Sequence, residues 1–120
     1  MITTARPVSH DPLERIRELQ PLIQAKDADA IRAILAKLHE MDMVEIFERF
    51  SKSDVVFCFN QIEGAVRRAN VFGELSFPYQ SYIVRVLSVD ESRYILETLP
   101  IDELQRFFHQ LPRTKAQKIK

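Results

Sequence analysis

The chain has 120 residues, 17 basic and 17 acidic side chains and 46% hydrophobic residues: one domain's length, enough apolar material for a core, and no net charge to keep it unfolded. A single cysteine, Cys58, excludes a disulfide framework, and only two glycines, Gly64 and Gly73, argue against a hairpin-rich β fold and any glycine-rich phosphate loop. Arg113, Lys115, Lys118 and Lys120 gather near the C-terminus, so residues 1–112 hold 13 bases against all 17 acids and lack the clustered basic face of a nucleic-acid binder.

Residues 1–12 carry Pro7 and Pro12 with few apolar side chains and read as an extended lead-in; Met1–Pro7 has no apolar stretch of the kind a signal peptide needs. Leu13, Ile16, Leu19, Leu22 and Ile23 then recur at three- and four-residue steps, predicting an amphipathic helix that Pro21 should kink or split. Asp27 and Asp29 are N-cap candidates for a second helix with Ile31, Ile34, Leu35 and Leu38 on one face, giving a helical hairpin.

From Leu38 a repeat takes over. Leu38, Phe50, Ile62, Leu75, Leu87, Leu99 and Leu111 follow one another at 12, 12, 13, 12, 12 and 12 residues, and these anchors are expected to be mostly buried. Helix starts follow them: Ser88-Val89-Asp90-Glu91 fits a capping box, Ser51-Lys52-Ser53-Asp54 is a weaker version, and Pro78, Pro100 and Pro112 suit a first helical turn. Acids gather at the same places (Asp42, Asp54, Asp90, Glu91, Asp102, Glu103), where the helix dipole favours them.

Eight to ten residues after each of the first six anchors sits an apolar pair: Ile46-Phe47, Cys58-Phe59, Val71-Phe72, Ile83-Val84, Ile95-Leu96 and Phe107-Phe108. Each unit therefore reads as a helix of eight or nine residues and a tight turn, with Gly64 taking up the extra residue of the longer unit. Helices that short are unstable alone and must stack on neighbours. The fold class is all-α, a superhelix of short helices in the manner of armadillo and HEAT repeats, with residues 1–12 as lead-in, 13–112 as the helical domain and 113–120 as a basic linker or tail. The longest apolar run, Val55–Phe59, falls far short of the ~20 residues of a membrane span, so the chain is expected to be soluble and cytosolic.

Reactive groups are few. His10 lies in the lead-in, His39 is placed at a helix C-terminus near the last carbonyls, and His109 belongs to the last unit; none has a partner at metal-ligand spacing. Cys58 lacks a CxxC partner and reads as a small buried hydrophobe, and no serine sits in a nucleophile-elbow sequence, so an enzyme is not expected. Phe77, Tyr79 and Tyr82 either pack on the preceding turn, the favoured reading, or form a patch for a partner. The acids at helix starts act as caps and dipole partners, or else line one edge where a hard cation such as magnesium would bind with carboxylates from a second surface.

The run from Leu13 to Pro112, and within it Ile34–Phe47, Glu74-Leu75-Ser76, Val86–Glu91 and Thr98–Leu104 with its Leu-Ser/Pro-x-Asp-Glu turns, resembles the cytosolic N-terminal domain of MgtE-type magnesium transporters. The resemblance implies a right-handed superhelix on the cytoplasmic side of the inner membrane, followed by a pair of CBS domains and a membrane channel, in a protein that is a homodimer at full length. It implies a regulatory role: magnesium held among acids shared with the CBS and membrane domains keeps the channel shut when intracellular magnesium is high. Asp102, in Leu99-Pro100-Ile101-Asp102, falls where the family places a metal-contacting aspartate. A second acid one turn later is replaced here by Arg106, which is expected to pair with Asp102, and an earlier acidic position falls on Asn70. Magnesium is therefore expected to bind this chain weakly, at an interface with domains that Arg113–Lys120 would link to it. The alternative is a free-standing helical-repeat interaction module similar to the middle domain of the flagellar motor switch protein, whose Glu-His-Pro-Gln motif this chain lacks.

Overall fold

The computed structural model describes residues 11–111, and these form eight helices and no strand. They are α1 (Pro12–Gln24), α2 (Ala28–Ala36), α3 (Glu40–Phe47), α4 (Lys52–Phe59), α5 (Ala65–Glu74), α6 (Phe77–Val86), α7 (Val89–Thr98) and α8 (Ile101–Gln110). The fold is all-α, as the repeat predicts. Most of the lead-in, Pro112 and the tail lie outside the described residues.

Asp11 caps α1 by accepting the Leu13 N–H, and the helix runs unbroken through Pro21 to Gln24. The expected split at Pro21 does not occur. Pro21 and Arg17, whose carbonyl a donor at position 21 would have met, both lie on the exposed flank, where water can take the place of the missing N–H. The α1–α2 turn closes with the Asp27 N–H on the Leu22 carbonyl (2.9 Å) and the Lys26 N–H on the Ile23 carbonyl (3.1 Å), Lys26 being left-handed at φ 57. Asp27, not Asp29, then caps α2 through the Ala30 N–H.

Every anchor seals the helix before it. The backbone N–H of Leu38, Phe50, Ile62, Leu99 and Leu111 bonds to the carbonyl three residues back at 3.0–3.2 Å, that of Leu87 to the one four back (Ile83, 3.0 Å), and that of Leu75 is shared between Val71 and Phe72. The next residue opens the next helix: His39, Ser51, Ser76, Ser88 and Pro100 are N-caps, all extended with ψ between 149 and 162. Pro100 thus stands one position before the first turn that its ring suits. In the 13-residue unit the N-cap is Gly64, two residues past Ile62 and at φ 96, so the extra residue is absorbed where glycine alone is unstrained.

Connections this short reverse the chain after every helix. Packing therefore falls between alternate helices: α1 on α3, α3 on α5 and α5 on α7 in one row, α2 on α4 and α4 on α6 in the other. Phe47, Phe59, Phe72 and Phe107 fill the space between rows and are almost wholly buried. Phe107 brings in α8, its ring 5.4 Å from Phe72 and 5.9 Å from Phe77. Phe50, Ile62, Leu75, Leu99 and Leu111 are buried as expected. Leu38 and Leu87 are only half-buried, because each borders a surface groove. Phe77, Tyr79 and Tyr82 pack against the core, the favoured reading.

Candidate functional site

α8 begins behind Pro100, which has no side chain to cap it, so the first-turn acids Asp102 and Glu103 supply the negative charge that its free N–H groups favour. Asp102 is exposed. Glu103 is half-buried because it folds across Gly73 of α5, where a Cβ would collide with its carboxylate. The expected Asp102–Arg106 pair is not formed: both side chains are exposed and no ion pair joins them among the described residues. A pair one helical turn apart in open water gains too little to hold two mobile side chains in one geometry.

Asn70 lies on α5, half-buried, and its Nδ2 donates to both carboxylate oxygens of Glu40 at the start of α3 (3.2 and 3.1 Å). An amide thus does at this contact what a cation would have to do if both residues were acids. Beside it an open groove is bordered by Leu38, His39, Glu40 and Arg67, and the Arg67 guanidinium donates to the Leu38 carbonyl (2.6 Å). Asp102, Asn70 and Arg106 are not assembled into a metal cage. Among the described residues no group of three or more His, Cys, Asp or Glu is placed to hold an ion. A single exposed carboxylate offers magnesium no chelate, since that ion wants near-octahedral oxygen geometry and keeps its waters unless more than one strong ligand displaces them.

The other residues singled out by their chemistry have structural tasks. His39 caps the start of α3, its Nδ1 accepting the Met41 N–H (3.1 Å), and does not sit at the end of a helix as expected. The reason is that α2 already ends at Ala36, leaving His39 extended on the far side of the turn. Cys58 is buried, and its thiol is pushed up to about 12 by burial and then by the charge of Asp54. His109 is exposed in the last turn of α8, and His10 lies outside the described residues. The capping box at Ser88 and Glu91 is complete; at Ser51 only half forms, because Asp54 accepts no bond from the cap's own N–H.

A set of polar side chains, of which the sequence reading singles out Tyr79 alone and for packing, ties helix to helix. Tyr79 donates its hydroxyl to the Phe50 and Glu48 carbonyls (2.7 and 3.1 Å), and Arg67, twelve residues earlier, does the same for Leu38 and Leu35. Gln80 and Ser92, also twelve apart and both buried, donate to the Phe72 and Val84 carbonyls (2.7 and 3.2 Å). Glu48 reaches across to accept from the Ser76 N–H and hydroxyl, capping α6 from outside. The signal was available: polar residues at the repeat's own spacing on a face otherwise apolar.

A family model, the MgtE intracellular N domain, matches residues 38–120, more than half of the chain and all of the twelve-residue repeat. A comparison with curated proteins finds no match. No helix among the described residues is long and apolar enough to cross a membrane.

Proposed function

The chain belongs to the MgtE intracellular N domain family, and from that premise we propose that it is the part of a magnesium transporter that helps gate the channel in response to intracellular magnesium. It performs no chemistry. Its task is to present a rigid stack of helices whose exposed first-turn acids, Asp102 above all, meet carboxylates on the CBS and membrane domains of the same transporter. Facing carboxylates repel until a divalent cation neutralises them, so magnesium shifts the population toward the compact, closed arrangement. Because Asp102 stands alone and Asn70 and Arg106 add no negative charge, most ligands for the ion come from those other domains, and this chain binds magnesium weakly by itself. The observation that carries the reading is the family match across the whole repeat.

The test is transport in the protein that carries this domain. Deleting residues 38–120 should leave transport active but abolish its shut-off by millimolar magnesium on the domain's side of the membrane. Shut-off that survives the deletion at the same magnesium concentration would remove the regulatory role.

A further inference from the structure

The repeat breaks its rhythm once, and a cleft lies at the break. Gln80 and Ser92 each bond to the carbonyl eight residues back, but Arg68, at the same place one unit earlier, reaches only to the Ile62 carbonyl (2.9 Å) in the longer α4–α5 turn. There a cavity of about 280 Å³ opens between the end of α4, α5 and α7. Phe59, Leu87 and Ile95 make its apolar wall. Arg68, Glu91, Asn60 and Tyr94 make its polar one.

Two charges of opposite sign border this cavity without pairing with each other. No ion pair joins Arg68 to Glu91 among the described residues. Each is held by the backbone: Arg68 by the Ile62 carbonyl, and Glu91 by the Ser88 N–H, which it accepts at 3.1 Å. Asn60 and Tyr94, both exposed, add further polar groups to its border. A ligand with one charge would pair with only one of the two. One that carries a carboxylate and an ammonium on a single carbon pairs with both, and an apolar side chain on that carbon meets the apolar wall. The volume lies just under the ~300–1,000 Å³ of pockets for drug-sized ligands, so the occupant is small. We propose that this cleft binds a free α-amino acid with an apolar side chain, a site separate from the acids at the start of α8.

L-Leucine is the probe, added at millimolar concentration to the full chain and followed by backbone amide NMR and calorimetry, with 4-methylpentanoate and 3-methylbutylamine as its two singly charged halves. Leucine should shift amides around Arg68, Glu91 and Tyr94, and each half should bind about tenfold more weakly or worse, as loss of one charge-assisted hydrogen bond requires. Glu91→Gln preserves the capping box, because glutamine makes the same bond back to the Ser88 N–H, yet removes the charge; it should weaken leucine by a similar factor. Arg68→Gln should do so too, and where that variant melts early the Glu91→Gln result and the two half-ligands decide. Equal binding of leucine and either half, shifts lying outside the cleft, or no binding at all would overturn the proposal.

Discussion

At the scale of single residues, environment decides what each reactive group does. Cys58 sits among Val55, Phe59 and the packed faces of α4, and burial holds its thiol protonated, with a pKa of about 12. At pH 8 the thiolate is then roughly a thousandfold scarcer than for a free cysteine. A disulfide reagent should leave Cys58 untouched in the folded chain and modify it promptly in denaturant; fast modification of folded protein would contradict the packing. Tyr79 shows the same physics at a polar seam. Burial first, and the charge of Glu48 second, raise its pKa above the ordinary 10.0. The folded chain therefore keeps this proton to higher pH than the unfolded chain does. Its contribution to stability is whole below about pH 10 and is lost as the pH climbs through the raised native value. Tyr79→Phe removes the donor to two carbonyls and should cost about 1 kcal/mol at neutral pH. Denaturant melts across the alkaline range should also show a shallower fall in stability for the variant than for the parent chain.

At the scale of elements, the turn chemistry and the anchors carry the fold. The anchor residue ends one helix and its successor starts the next, so each connection leaves little slack to absorb a misfit. Leu75→Ala and Leu99→Ala, at buried anchors, should each cost about 2–5 kcal/mol, and Leu87→Ala less, because its side chain already borders a groove. Equal losses at all three would mean that burial is not what the anchors contribute. Gly64 at φ 96 has open space where a Cβ would go, so Gly64→Ala tests backbone strain and nothing else. It should cost about 1–3 kcal/mol, measured as a shift in denaturation midpoint without a change in slope. Ser88→Ala breaks the one complete capping box among the described residues and should cost about 1 kcal/mol.

At the scale of the whole molecule, the question is whether magnesium acts on this chain alone or on an assembly. A ligand that binds only the folded state raises its melting temperature by mass action. Among the described residues Asp102 belongs to no group of three or more side chains that could hold an ion, and Glu40 is already satisfied by Asn70. Thermal melts of the chain with and without millimolar magnesium should therefore overlap, and an upward shift that vanishes in Asp102→Ala would place the sensing here. Asn70→Asp supplies a contrast: it sets two carboxylates face to face across α3 and α5. That variant should melt lower than the parent in metal-free buffer and recover part of the difference when magnesium is added. If its melt ignores the ion, cation neutralisation is not what holds such a contact.

The helical class and the places of the turns were legible in the sequence because the information is local, although α5 to α8 run to ten residues, beyond the eight or nine expected. A twelve-residue period of apolar anchors, serine caps and first-turn acids can specify short helices and tight turns without reference to anything distant. The burial of Cys58 and the loosened turn at Gly64 were legible for the same reason. The split at Pro21 failed because the effect of a proline depends on which flank of α1 faces water, and that is set by α2 and α3 packing on it. His39 misled because one residue of register separates the end of a helix from the cap of the next. What only the tertiary structure decided lies between residues about thirty apart in the chain: Asn70 on Glu40, Tyr79 on Phe50 and Arg67 on Leu38. A period states which positions are equivalent, but a hydrogen bond between them needs the rows of helices already stacked, and whether two charges meet depends on the solvent around them.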